Sequence, residues 1–280
     1  MFKLSKSRIG TLFACPLNYY FKYILKPEKT NKVEDHYLTA GLYIHQTLED
    51  IYTKINEDEY INLDIIDKIE YLSDKFDLKL TGDPLVDEIT QLAHDNFIEW
   101  QCTMDRKCNG YYKPYMTEKK VEMELTQDFI NKFIENYPNV AASVKIKNLP
   151  ELKEPIILNG FIDRVDFINN EYSILDYKSK ITSIKAYELA LYTLMASVNL
   201  KLPITHVGIW GYKDGSYSYK KIKTNNIIFG LYKIVDFMNL KNKYQNVINR
   251  FPRKKGFFCR WCEYKDLCYN KYNSRGELKK

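Results

Sequence analysis

Long apolar runs are missing from this 280-residue chain, so no segment reads as a membrane span. The opening residues, MFKLSKSRIGTLFACPLNYY, hold no hydrophobic leader segment and no small-residue cleavage site. The expectation is an intracellular protein. A GxxxxGK[ST] loop and a GxGxxG fingerprint are both absent, which removes the simplest ATPase and dinucleotide readings. Internal repeats are absent too. Cysteine is sparse, with six residues, and an intracellular chain does not keep a disulfide framework. Clustered thiols in such a chain point to metal.

What remains is an ordinary globular composition, 45% apolar and 28% charged, long enough for one large domain or two small ones. The formal net charge is +6, and 24 tyrosines accompany it. Cations interleaved with aromatic rings suit a nucleic acid, whose phosphates need charge and whose unpaired bases need flat surfaces. Richness in Lys, Asn, Ile and Tyr is equally what an AT-rich genome produces.

Along the chain the hydrophobic period changes. Residues 5–25, 36–56 and 60–105 carry helical spacing, with a break at Gly82-Asp83-Pro84. Residues 119–126, KKVEMELT, alternate like a strand, and a short helix is expected over 126–136. A hairpin spans about 156–179, and 183–200 reads as a strong helix. Residues 204–212 and 216–222 form a further strand pair across Asp214-Gly215, and 227–248 a long amphipathic helix. The result is a mixed α/β core inside an α-rich shell. Divided along the chain, 1–115 is a helical region, 116–225 the core, 226–272 a helix plus cysteine cluster returning to the N-terminus, and 273–280 a tail.

Within the hairpin, GFIDRVDFINNEYSILDYKSK (160–180), the turn falls at Asn169-Asn170. Counting outward sets Phe167 against Tyr172, Val165 against Ile174 and Asp163 against Asp176, with Lys178 on the same face. Opposed Cβ atoms lie about 5 Å apart, and like charges so placed destabilise a sheet. A shared proton, a cation or access to water would each reconcile them. Magnesium takes oxygen ligands and leaves positions for phosphate oxygens, and a bound metal supplies a nucleophilic water at neutral pH. Lys178 is suited to stabilising charge on phosphorus. An isolated Asp-x-Lys on a strand is more often a solvated pair, and a lone helix histidine such as His45 is more often satisfied than ligating. Glu122 and Glu124 are further candidate acids, whereas Arg164 and Asp166 face away from Asp163 and read as structural.

"GFIDRVD" followed by "LDYKS", with "GLYIHQTLE" (41–49) upstream, resembles the PD-(D/E)XK nuclease superfamily in its RecB/AddB-like branch. The resemblance implies a restriction-endonuclease-like fold, in which a mixed sheet is flanked by helices. It also implies Mg2+ or Mn2+ bound by His45, Asp163, Asp176 and the backbone carbonyl of Tyr177, with Lys178 as catalytic lysine. This branch has Gln followed four residues later by Tyr; here the pair is Glu188 and Tyr192, so Tyr192 carries over and the role of Glu188 stays open.

A second constellation, CRWCEYKDLC, places Cys259, Cys262 and Cys268 at C-x2-C-x5-C, one ligand short of a tetrahedral site. The same branch is similar here as well: some members hold a [4Fe–4S] cluster on one N-terminal cysteine and a C-terminal trio. That implies Cys15, Cys259, Cys262 and Cys268 as ligands, with structural Zn2+ as the alternative. Cys102 and Cys108 read as ordinary thiols. Arg250, Arg253, Lys254, Lys255, Arg260 and Trp261 crowd beside the trio, as part of a strand-binding channel or as a solvated basic face.

Taken together these features lead to the expectation of a metal-dependent DNA nuclease acting on single strands or free ends in recombination, repair or replication. The chain carries no helicase motor, so unwinding would fall to a separate helicase or recombination protein. A non-catalytic nucleic-acid-binding module and an iron–sulfur electron-transfer protein are the rival readings.

Overall fold

The computed structural model describes residues 1–31, 36–78, 80–136, 151–181, 186–247, 250–273, 275, 277 and 279. In chain order, β1 (Phe2–Ser5) leads into α1 (Lys6–Ala14) and α2 (Pro16–Tyr19), which continues as a π-turn over Tyr20–Leu25. Helices α3 (His36–Lys54), α4 (Glu57–Tyr60), α5 (Ile65–Lys75) and α6 (Pro84–Cys108) follow, then β2 (Met116–Leu125) and α7 (Gln127–Glu135). The hairpin is β3 (Ile156–Ile168) and β4 (Glu171–Lys178). After it come α8 (Ala186–Asn199), β5 (Ile204–Gly211), β6 (Tyr217–Lys221) and α9 (Thr224–Asn242). A 3₁₀ turn at Phe257–Trp261 and α10 (Lys265–Lys271) complete the chain. Residues 183–185 and 248, at the ends of two expected helices, lie outside the described residues.

Among the described residues six strands form a mixed sheet in the order β1-β3-β4-β5-β6, with β2 also paired to β3. The β1–β3 and β4–β5 pairs are parallel; β3–β4 and β5–β6 are antiparallel. With its flanking helices this is the expected restriction-endonuclease-like α/β architecture. Strand β1 is a correction: the sequence reading had helix from residue 5 and nothing before it. Four residues are too few for a periodic signal, and the strand exists because β3 offers it an edge at Ile156–Asn159.

The hairpin follows its turn chemistry. Asn169 and Asn170 both take positive φ, 51° and 62°, as a type I′ turn needs. The register places Phe167 against Tyr172, Val165 against Ile174 and Arg164 against Leu175, as counted from the sequence. The Gly82-Asp83-Pro84 break is a helix start: Asp83 caps α6 by accepting from the Leu85 and Val86 N–H groups, and Pro84 fills the first helical position.

Contacts divide the chain into two units. One comprises residues 1–34, 122–160 and 224–280; the other comprises 35–121 and 161–223. The second has its own core, in which Ile44, Leu48 and Ile51 of α3 and Phe97 and Trp100 of α6 bury against Leu175, Tyr177 and Trp210 of the sheet. The first gathers a smaller cluster around Cys15, Leu17, Phe21, Tyr264 and Cys268. No helix among the described residues is long and apolar enough to cross a membrane.

Candidate active site

The second unit supplies the acidic residues. The paired register of the hairpin ends at Arg164 with Leu175, and Asp163 and Asp176 are the next residues outward on the two strands, close enough for the Asp176 charge to act on Asp163. Both carboxylates are buried. Asp163 Oδ2 accepts the Tyr177 N–H at 2.7 Å. From α3, His45 Nδ1 lies 3.8 Å from Asp163 Oδ1 and 3.1 Å from Oε1 of Glu118. One ligand atom from each of His45, Glu118 and Asp163 falls within 4.8 Å of the others, the one such trio among the described residues. Asp176 stands outside this trio and forms an ion pair with Lys178. Lys178 Nζ also donates to the Tyr177 carbonyl at 3.1 Å, so that carbonyl and Asp176 together hold the ammonium.

Glu118 is the residue that sequence reasoning missed. The strand was expected to begin at 119, and the alternate acids Glu122 and Glu124 drew the attention. Glu122 instead pairs with Lys3 at 3.0 Å. Glu118 sits two residues into β2 with φ of 42°, a left-handed backbone that breaks the strand's alternation. Glu118 opens the "EKK" stretch (118–120), and no local pattern marks it as a ligand.

Charge in the site is unbalanced. Burial, and then the neighbouring Asp176 carboxylate, push the Asp163 carboxyl up to about 6 against the opposing pull of His45, Lys178 and the Tyr177 N–H. Burial pulls the His45 imidazole down, yet its hydrogen bond to Glu118 and the charges of Asp163 and Glu118 raise it above the ordinary histidine value. The Asp163 and Glu118 carboxylates beside the His45 imidazole, with Asp176 acting on Asp163, are hard donors short of positive charge, which fits a small divalent cation.

A model of the PD-(D/E)XK nuclease superfamily matches residues 3–269. The chain belongs to that superfamily. No curated protein matches it significantly.

Two further residues of this PD-(D/E)XK protein were expected near the carboxylates. Tyr192 on α8 is buried, and burial followed by the charges of Asp176 and Asp163 pushes its hydroxyl upward. Glu188, one turn earlier, is half-buried and also acts on Tyr192 electrostatically. Arg164 and Asp166 turn away from Asp163 as expected, but into the protein, where they form a buried ion pair.

In the other unit, Cys15, Cys259, Cys262 and Cys268 line one cavity together with Arg253, Phe258 and Tyr269. Cys15 takes an extended conformation between α1 and α2, which turns it away from the helical path. Backbone N–H groups point at two of the sulfurs: Lys254 donates to Cys15 Sγ at 3.5 Å and Gly256 to Cys259 Sγ at 3.4 Å. Burial pushes the Cys262 thiol up, and the charges of Cys15, Cys268 and Cys259 add to the rise. The four thiols do not form a close trio of the kind His45 makes. Cys102 is buried and Cys108 exposed on α6, in the unit that lacks the other four.

Proposed function

We propose that this protein is a metal-dependent nuclease of the RecB/AddB-like branch that hydrolyses phosphodiester bonds in DNA with a free, single-stranded end. The observation that carries the reading is the grouping of His45, Glu118 and Asp163, with the Asp176 carboxylate acting on Asp163 and Lys178 paired to Asp176. His45, Asp163, Asp176 and the Tyr177 carbonyl would hold Mg2+ or Mn2+, and Glu118 joins that donor set. When bound, the metal lowers the pKa of water at the site and offsets charge on the phosphate. The chain's own groups do the rest. Lys178, held by Asp176 and the Tyr177 carbonyl, presents its ammonium to the charge that builds on the scissile phosphate. Asp163 enters the reaction as a carboxylate, having lost the proton that Asp176 and burial favour. Tyr192, buried and within electrostatic reach of Asp176 and Asp163, would shield the acids from water on its side.

The cysteine quartet supports a [4Fe–4S] cluster over Zn2+. A single zinc ion at about 2.3 Å from each sulfur draws the sulfurs to roughly 3.8 Å apart, whereas a cubane holds them wider. The four thiols share one cavity, and one ligand comes from the far end of the chain, as in the iron–sulfur members that the chain resembles. Donated N–H groups favour the thiolate form that either metal requires.

Single strands are favoured by the segment around that cavity. Residues 250–261, RFPRKKGFFCRW, carry five cations and no acid. Phe257 is 69% and Trp261 54% exposed, their rings 4.7 Å apart in an edge contact. Arg260 lies over Phe257, and Arg253 and Lys255 over the Tyr269 ring. Exposed flat rings among clustered cations match unpaired bases on a phosphate chain. Such a strand arises in recombination, repair or replication, with unwinding supplied by a separate helicase or recombination protein.

The deciding assay digests end-labelled linear and circular single-stranded DNA in Mg2+ or Mn2+ with wild type and Lys178→Ala. Shortened linear strands, intact circles and an inert variant are expected. Equal cleavage by wild type and Lys178→Ala would remove the assignment.

A further inference from the structure

Arg164 is adjacent to Asp163 in β3, yet it takes no part in the chemistry above. Its side chain is fully buried. Nε donates to Asp166, whose other oxygen accepts the Tyr112 hydroxyl at 2.7 Å. Nη1 donates to the hydroxyl of Tyr52 on α3. The guanidinium also packs on three rings, with its carbon 4.8 Å from the centre of Tyr52, 5.1 Å from Trp100 and 4.5 Å from Tyr112. The Tyr52 hydroxyl passes on a hydrogen bond to Gln101 at 2.9 Å, and Gln101 donates to Asp105 and to the Tyr112 carbonyl. Helix α3 and strand β3 are thus joined by directional bonds that are anchored on α6.

Such an arrangement is costly if stability is its purpose. Each buried ion forfeits several kcal/mol of hydration, and apolar side chains of equal volume serve a core as well or better. Apolar packing cannot fix direction, however, and direction matters here. Tyr52 follows His45 by seven residues on α3, two turns and about 10 Å along the axis, so both side chains leave the helix on nearly the same side. His45 itself has an edge contact with the Tyr177 ring at 5.5 Å, which tolerates sliding. A ligand must be held to within about 0.5 Å of its productive place.

We propose that Arg164 is a positioning residue: its hydrogen bond to Tyr52 locks the rotation and height of α3 against β3 and so sets His45 onto Asp163 and Glu118. The inference rests on the metal-site reading above and adds to it the residue pair that assembles the site.

The test measures Mn2+ binding by electron paramagnetic resonance without DNA, alongside thermal unfolding, for wild type, Tyr52→Phe, His45→Ala and the double variant. Tyr52→Phe removes one oxygen and keeps the ring, and its thermal unfolding checks that the fold is retained. The expected result is Mn2+ affinity about tenfold weaker in Tyr52→Phe, with no further loss when the same change is made in His45→Ala. Arg164→Lys keeps the charge but not the fork, and is expected to repeat the Tyr52→Phe loss. A folded Tyr52→Phe with wild-type affinity, or an equal loss in both backgrounds, overturns the proposal while leaving the metal site intact. Equal Mn2+ binding by wild type, His45→Ala and Asp163→Asn overturns the metal-site reading and the clamp together.

Discussion

The carboxylate cluster and the cysteine cluster are assembled in opposite ways. Asp163 and Asp176 are neighbours on one hairpin, whose register a two-residue turn dictates; only His45 and Glu118 arrive from elsewhere. The cysteines sit at the two ends of the chain, with Cys15 more than two hundred residues from the trio. The first cluster exists because local strand pairing forces like charges together, and folding tolerates it at some cost in repulsion. In the second, a metal held as proposed would itself contribute folding energy by closing a very long loop. On the proposed reading one site serves reaction and the other serves holding.

That contrast predicts separable failures. The largest effect belongs to Asp176→Ala, which should cut DNA cleavage by about a thousandfold or more while the purified protein keeps its colour and its iron content. Cys268→Ser should do the reverse in kind: metal analysis after anaerobic purification should show loss of bound metal, and the Tm should fall by roughly 10 °C or more. Brown protein with iron and inorganic sulfide is the expected wild-type result; a colourless zinc protein would keep the staple and change its metal. Trp261→Ala should weaken binding of a labelled single strand, measured by anisotropy in EDTA, by about tenfold, and leave duplex binding nearly as it was.

Proton competition sharpens the comparison further. Asp163 sits near 6, above the ordinary carboxylate range, so below that pH a proton occupies the oxygen a cation needs. Mn2+ affinity should therefore fall by about tenfold or more for each pH unit below 6, with a shallower fall already present above 6 where His45 takes up its proton, as titration calorimetry would show. His45, raised by Glu118, adds to the loss in the same direction. The smallest effect is reserved for Cys102→Ser and Cys108→Ser, which should leave metal content unchanged because neither thiol lines the cysteine cavity.

Much of this was legible in the sequence, for physical reasons that differ by element. The hairpin was readable because Asn169-Asn170 admits one tight turn, and from the turn every side chain's face follows by parity. The cysteine trio was readable from spacing, but its fourth member came only by resemblance, since no local rule ties Cys15 to residues at the other end of the chain. Glu118 was not readable: a single residue in left-handed backbone at a strand's start interrupts the alternation by which faces are assigned. Strand β1 was lost to its brevity. Parity sent Arg164 away from the acids, yet its attachment to Tyr52 is a tertiary fact that no periodicity in either segment encodes.

The position of a bound divalent ion decides most directly whether the aspartates form a metal site. Crystals grown with Mn2+ and measured for anomalous scattering should show a peak about 2 Å from oxygens of both Asp163 and Asp176, within reach of His45. A map with no peak there, or with Mn2+ bound only at sites that exclude both aspartates, would contradict it.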